Sequence, residues 1–131
     1  MKHFDRERAK VRGTKRFFAS FNFASQGIKY AFKYEQSFFI QVICTFLVII
    51  FGLIFKIETF EWLLLFLAMA MVLGAEMFNS SIEATIDLIS LEQKHLSKVA
   101  KDTASGAVLL FSLIAIIIGC FVFIPHILRL F

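Results

Sequence analysis

Three long apolar runs constrain this chain more than any other feature of its sequence. An 18-residue helix reaches about 27 Å, close to the thickness of the hydrocarbon core of a bilayer, which is about 30 Å. The runs predict three membrane-spanning helices at about residues 38–55, 62–79 and 103–125, and the second continues with helical periodicity to about residue 89. We expect the third helix to end at Pro125, since proline does not readily prolong a helix.

The composition supports membrane insertion rather than a soluble fold. Hydrophobic residues make up 59% of the chain, whereas a soluble domain has roughly 45–50%. The excess apolar surface must face lipid or other subunits. Cys44 and Cys120 lie inside apolar runs without metal-ligand spacing, so neither a disulfide nor a zinc site is expected.

The positive charge is concentrated at the N-terminus. Nine of the fourteen Lys and Arg residues lie in the first 33 positions, and residues 1–16 form a basic arm. Beside spanning helices, such an arm indicates anionic lipid and a cytoplasmic location, so nucleic acid is not an expected partner. Lys94, Lys98 and Lys101 assign the second link to the same side.

The segment between the arm and the first run is amphipathic in helical spacing. An apolar stripe (Phe17, Phe21, Ala24, Ile28 and Ala31) opposes a polar one (Asn22, Gln26, Lys29 and Lys33). This pattern predicts a helix over residues 17–35 that lies in the membrane interface. An ordinary amphipathic helix packed on other protein is the alternative.

Four polar residues share one face near the end of the second span. At about 100° per residue, they fall within about 80° of one another; the four are Glu76, Asn79, Glu83 and Asp87. A carboxylate in a membrane is unfavourable unless a cation, a proton or water compensates its charge. A divalent metal ion with phosphate oxygens would compensate all three carboxylates together.

A solvated helix face with incidental acids is the alternative explanation. It accounts for Asp87 and for Glu83, which lie near the expected water boundary. It does not account for Glu76, which follows fourteen residues without a charge.

Two further groups could take part in the same site. Lys101 and Asp102 come just where the third run enters the membrane, so Lys101 could neutralise phosphate. Glu35 ends the amphipathic segment immediately before the first span. The chain lacks the G-x-x-x-x-G-K-[ST] loop that cradles phosphates and the G-x-S-x-G motif of hydrolases.

These motifs together resemble a known family. The pattern E-x-x-N-S-S-I-E-x-x-x-D starts at Glu76, and A-K-D at residues 100–102 is followed by G-A-V-L at residues 106–109. A third pattern, G-x-x-x-A-x-x-x-E, ends at Glu35. The likeness covers roughly residues 16–126 and is to the small bacterial diacylglycerol kinase and undecaprenol kinase family.

The resemblance implies an all-α integral membrane enzyme of the bacterial cytoplasmic membrane. Its expected architecture is three transmembrane helices plus an N-terminal interfacial helix, assembled as a homotrimer with active sites between subunits and facing the cytoplasm. The expected activity is transfer of the γ-phosphate of ATP to the hydroxyl of a membrane lipid alcohol, with Mg²⁺ as cofactor. Residues 17–131 would form this kinase domain.

The resemblance also implies roles for individual residues. Glu76 matches the proposed general base, and Glu35 and Glu83 match ligands of Mg²⁺. The nucleotide is expected to contact six polar side chains: Arg16, Glu35, Asn79, Glu83, Lys101 and Asp102. Asp87 matches a further acidic position with a supporting role.

The acceptor lipid has two candidates. Glu61-Trp62 and the Phe-Ile-Pro that ends the third run resemble the undecaprenol-type branch, so undecaprenol is preferred and diacylglycerol is the alternative. The chain departs from many undecaprenol-type members, which have Glu-Arg-Asn near Glu35 and a His shortly after. Here the corresponding stretch contains Gln36, Ser37 and Gln41.

Two non-enzymatic functions compete with the kinase. A proton or cation conduit would spread carboxylates through the depth of the membrane, whereas here they cluster at one end, beside Lys101. A passive scaffold that binds anionic lipid through the basic arm would tolerate loss of the Glu76 carboxylate.

Overall fold

The chain forms four helices in sequence. The computed structural model describes residues 13–89, 92 and 94–131, so most of the predicted basic arm, residues 1–12, lies outside it. The helices are α1 (Thr14–Tyr34), α2 (Gln36–Phe55), α3 (Thr59–Ile89) and α4 (His95–Leu128).

Helices α2, α3 and α4 are each long and apolar enough to cross a bilayer. This confirms the predicted number of such helices. The end at which α2 begins, α3 ends and α4 begins is called the polar end below. It carries the acidic stripe, which is the face of α3 with Glu76, Asn79, Glu83 and Asp87. The other end, with the α2–α3 turn and the C-terminus, is called the distal end.

The first helix joins the bundle at the polar end. A single extended residue, Glu35 (φ −101°, ψ 103°), separates α1 from α2. Its backbone N–H donates to the Ala31 carbonyl at 2.9 Å, which closes the last turn of α1. Helix α1 packs against α2 and α3, and Ala31 is its buried residue. The junction fixes Glu35 beside the entry of the first span.

Within one chain the interior is small. Helix α3 packs most extensively against α4, and a cluster around Ile57, Leu65 and Val122 forms the core. Among the described residues no large side chain is completely buried, while many large apolar side chains on all four helices are exposed. A soluble protein rarely exposes so much contiguous apolar surface. This surface therefore faces lipid or other subunits.

A close helix contact stabilises the distal end. Helix α2 ends in a left-handed residue, Lys56 (φ 50°), and the Ile57 N–H donates to the Gly52 carbonyl at 3.2 Å. The Trp62 indole of α3 lies over Gly52, where a Cβ atom would approach Trp62 Cη2 to 2.6 Å. Glycine is therefore required here by close packing.

We expect Gly52→Ala to destabilise the protein by about 1–3 kcal/mol, because the added methyl group displaces the Trp62 ring. Thermal unfolding in detergent, followed by circular dichroism, measures the effect. Gly119→Ala is the matched control, since nothing lies within 4 Å of its would-be Cβ. Equal melting temperatures for the two variants would contradict this account of the α2–α3 contact.

The prediction that Pro125 ends the last helix was wrong. Helix α4 includes Pro125 and ends at Leu128. Proline lacks an N–H, so it removes one donor but still offers its own carbonyl, which accepts from Arg129 N–H at 3.3 Å. One proline in the final turn is therefore tolerated, and the extra turn brings His126 against α3.

Candidate active site

The most buried charged group among the described residues is Glu76. It lies on α3 with 4% of its surface exposed. One contact compensates its carboxylate: Gln41 Nε2 of α2 donates to Glu76 Oε2 at 3.0 Å. A carboxylate without partners is strongly disfavoured in an apolar interior, so this hydrogen bond helps to stabilise Glu76 where it is buried.

Asn79 repeats this arrangement one turn further along α3. Its Nδ2 donates to Glu83 Oε1 at 3.4 Å, and the residue is 9% exposed. The amide oxygens of Asn79 and Gln41 are both buried, and neither has a partner in the described part of the chain. Buried amide oxygens are normally hydrogen-bonded, so each of these two oxygens is a position where a further donor is expected.

Ion pairs between described residues also lie at the polar end. Lys101 Nζ of α4 donates to Asp87 Oδ1 of α3 at 2.6 Å, which joins the two predicted clusters. Asp102 pairs with Lys98 one turn back on the same helix. The two adjacent residues Lys101 and Asp102 thus belong to separate pairs, and Lys98 is a site neighbour that the sequence reasoning did not include.

The remaining predicted site residues lie on α1 and at its end. Arg16 is in the first turn of α1, and its carbonyl accepts from Ser20 Oγ at 3.0 Å. Glu35 lies at the α1–α2 junction. Over residues 13–89, 92 and 94–131, no three His, Cys, Asp or Glu side chains converge as a metal-binding group.

An apolar cavity extends from Gln41 towards the distal end. It has a volume of about 250 Å³ and lies among α2, α3 and α4. Its polar lining comes from Gln41 and Thr45 of α2, and Phe123 of α4 lines it towards the distal end. Because Gln41 also contacts Glu76, the cavity starts next to the most buried carboxylate.

A second polar contact lies at the distal end, remote from the acidic stripe. His126 Nε2 lies 3.0 Å from Glu61 Oε2 and 3.2 Å from Glu61 Oε1. Glu61 Oε2 also accepts from the Glu58 backbone N–H at 2.9 Å, which caps the start of α3. Glu61 therefore joins α3 to α4, a structural role for the Glu-Trp motif noted in the sequence.

Comparison with known proteins decides the family. Residues 22–123 match the family model described as prokaryotic diacylglycerol kinase. The chain belongs to the prokaryotic diacylglycerol kinase family.

Individual members of this family support the assignment. The chain is 37% identical to the undecaprenol kinase of Bacillus subtilis over 110 residues, which cover 84% of this chain and 89% of that protein. It is 33% identical to the diacylglycerol kinase of Helicobacter pylori J99 over 122 residues, 93% of this chain and 92% of the relative. The diacylglycerol kinase of Escherichia coli K12 is 28% identical over 114 residues, 87% of this chain and 93% of the relative.

The family membership makes this chain a membrane lipid kinase, and a kinase implies ATP as the phosphoryl donor and a lipid as the acceptor. The polar end contains the residue types that such a reaction needs, because phosphoryl transfer depends on positioning and charge neutralisation. The structure places the buried Glu76 and Asn79 and the half-buried Glu83 on one face of α3, and Lys101 of α4 bonds Asp87 on the same helix.

Gln41 was missed as a site residue. The sequence comparison treated it as a departure from the family pattern, yet it is the hydrogen-bond donor to Glu76. The sequence does indicate Gln41 as a candidate, since Gln41 and Thr45 are the strongly polar side chains in an otherwise apolar run and lie one turn apart. A polar side chain inside a spanning helix is by default a functional candidate.

Proposed function

We propose that this lipid kinase phosphorylates undecaprenol, with diacylglycerol as the alternative acceptor. The main support is the buried Glu76 carboxylate beside an apolar cavity, since a lipid alcohol would present its hydroxyl at the carboxylate and its hydrocarbon chain to the cavity. The higher identity to an undecaprenol kinase than to the two diacylglycerol kinases supports the choice of acceptor.

Glu76 is proposed as the general base. Its carboxylate would take the proton of the lipid hydroxyl as the lipid oxygen bonds to the γ-phosphorus of ATP and ADP leaves. Gln41 occupies Oε2, so Oε1 would accept the proton. An apolar surrounding excludes water and so disfavours hydrolysis of ATP in place of lipid phosphorylation.

Glu35 and Glu83 are proposed as the protein ligands of Mg²⁺. Magnesium is usually bound by one or two carboxylates together with substrate phosphates and water, so a group of three protein ligands is not required. The donor set fits, because the Glu83 carboxylate is oriented by Asn79 and the Glu35 side chain lies at the break between α1 and α2. When bound, the metal ion would neutralise charge on the phosphates.

The nucleotide is proposed to lie across the polar end. Lys101 would meet the phosphate charge, and Asp87, 2.6 Å away, would hold its ammonium group towards α3. Asn79 and Asp102 would contact the nucleotide or its phosphates. Arg16, in the first turn of α1, would close the site from the amphipathic helix.

The proposed assembly is a homotrimer in the cytoplasmic membrane, with its N-terminus and polar end in the cytoplasm. The positive charge near the polar end supports this orientation, since Lys94, Lys98 and Lys101 lie there while the distal end carries Lys56 and Arg129. Exposed apolar surface and two unpaired buried amide oxygens support completion of the site by neighbouring subunits.

We expect the purified enzyme to transfer label from γ-labelled ATP to undecaprenol at least about tenfold more efficiently than to diacylglycerol, a difference of about 1.4 kcal/mol in transition-state binding. The assay offers undecaprenol, diacylglycerol and ceramide separately in mixed micelles, with and without Mg²⁺. Ratios of kcat/KM give the preference.

The outcomes separate the parts of the proposal. Preferred labelling of diacylglycerol would replace undecaprenol as the acceptor and leave the site assignment intact. Equal turnover after complete removal of divalent ions would contradict the proposed metal site. Labelling of ceramide alone would contradict both candidate acceptors.

A further inference from the structure

We infer that Gln41 is a positioning residue for the catalytic carboxylate. Its amide fixes one oxygen of Glu76 and thereby presents the other oxygen to the lipid hydroxyl. This inference rests on the proposed role of Glu76 as general base and adds a residue on a different helix to the machinery of the reaction.

The direction of the hydrogen bond follows from chemistry. An ionised carboxylate only accepts hydrogen bonds, so Gln41 must present its NH₂ group and not its carbonyl oxygen to Glu76. That orientation leaves Gln41 Oε1 buried without a partner in the described part of the chain. Burial of Gln41 Oε1 without a partner is unfavourable, but the hydrogen bond from Gln41 Nε2 to the Glu76 carboxylate holds the amide in this orientation.

The location of Gln41 makes the contact effective. Helix α2 enters the bundle five residues before Gln41, and α3 reaches Glu76 from the opposite end, so the contact crosses between antiparallel helices. A glutamate side chain has three rotatable bonds, and one hydrogen bond to a rigid helix removes most of that freedom. The carboxylate is then oriented before the substrate binds, which is the usual basis of efficient proton transfer.

The apolar cavity and the buried carboxylate share one neighbour, Gln41. Gln41 lines the apolar cavity as well as contacting Glu76. A lipid whose hydrocarbon chain lies in this cavity would therefore place its hydroxyl group at the end where Gln41 holds the Glu76 carboxylate. The amide thus separates the two oxygens of Glu76 into one that is held and one that reacts.

The test compares Gln41→Met with Thr85→Val in the purified full-length enzyme. Methionine keeps the length of the side chain but cannot donate, so we expect kcat to fall about tenfold to a hundredfold, with KM for ATP and for undecaprenol within about twofold of wild type. Thr85 is the control, because it is exposed on α3, its hydroxyl donates to the Ser81 carbonyl one turn back, and it does not line the cavity. Its variant should retain kcat within about twofold.

Two further variants test the hydrogen bond itself. Gln41→His restores an N–H donor and should recover most of kcat. Gln41→Asn keeps the amide group but shortens the side chain by one methylene, so it should be as slow as Gln41→Met. It tests the same hydrogen bond if the methionine variant fails to fold. In a Glu76→Asp background, whose carboxylate is withdrawn from α2, Gln41→Met should change kcat by less than about twofold.

Three results would overturn the inference. These are full kcat in both Gln41→Met and Gln41→Asn, a change confined to KM for the lipid, or the same loss of kcat in the Glu76→Asp background as in wild type. Failure of the underlying proposal looks different, because then Glu76→Gln itself would remain active. An inactive Glu76→Gln with unaffected Gln41 variants removes the positioning role alone.

Discussion

Glu76→Gln is expected to lower the turnover of lipid phosphorylation by a factor of about 10² to 10⁴, the usual contribution of a general base. The amide that replaces the carboxylate is nearly the same size but cannot take up a proton at neutral pH. The loss should therefore appear in kcat, with KM for ATP close to its wild-type value.

The fold should survive this change. Glu76 lies on the α2-facing side of α3, and its partner Gln41 can donate to the amide oxygen of a glutamine as it does to the carboxylate. Removal of a buried charge from an apolar interior is neutral or stabilising when the hydrogen bond is retained. We expect circular dichroism and the melting temperature in detergent to match wild type or slightly exceed it.

The matched control is Glu58→Gln, the same chemical change at the distal end. Glu58 is exposed in the α2–α3 turn, and the contact that it makes to Glu61 uses its backbone N–H. Unaltered turnover in Glu76→Gln would remove the general-base assignment and favour a structural role for this carboxylate. Loss in both variants would indicate a general effect of charge on the assembly.

The helices were predictable from the sequence because lipid imposes a strong constraint. A spanning segment must be about 20 residues long and apolar, and its backbone must be internally bonded, so each long run corresponds to one helix. The helical spacing of Glu76, Asn79 and Glu83 likewise follows from α-helix geometry, and two of the three are buried as that spacing suggests. The same reasoning failed at Pro125, where a rule about helix interiors was applied to a last turn.

The contacts between helices could not be predicted in the same way. Lys101 pairs with Asp87, fourteen positions away, and Gln41 pairs with Glu76, thirty-five positions away. Such pairs depend on the relative rotation and register of the helices, which periodicity within one helix does not define. A membrane interior restricts the choice, however, because each polar group in an apolar span needs a partner, which makes Gln41 one candidate partner for Glu76.

Lys101→Met is expected to reduce kcat/KM for ATP about tenfold to a hundredfold, because a charge-assisted hydrogen bond to phosphate is lost. The substitution keeps the apolar length of the side chain, so α4 should pack as before. Stability should change little, since the pair that Lys101 forms with Asp87 is largely exposed at the polar end. Initial rates at varied ATP and a fixed saturating lipid concentration, together with melting temperatures, separate the two effects.

Two variants define what the loss means. Asp87→Asn breaks the same ion pair but leaves the Lys101 ammonium free for the nucleotide, so kcat/KM for ATP should stay within about threefold of wild type. Lys94 is the residue just before α4, so Lys94→Met measures the general effect of positive charge at the polar end on kcat/KM for ATP. It too should stay within about threefold.

The Lys101, Asp87 and Lys94 variants distinguish these explanations, because the ion pair and the proposed phosphate contact use the same ammonium group of Lys101. If the pair with Asp87 mattered by itself, its two single variants would be equally slow, since either substitution abolishes it. If charge at the polar end merely attracted the nucleotide, Lys94→Met would match Lys101→Met, and added salt would reduce both differences. A selective loss in Lys101→Met that persists at high salt is the result expected of a short-range contact. Lys101, at the polar end beside the acidic residues of α3, would make such a contact with the phosphates of bound ATP.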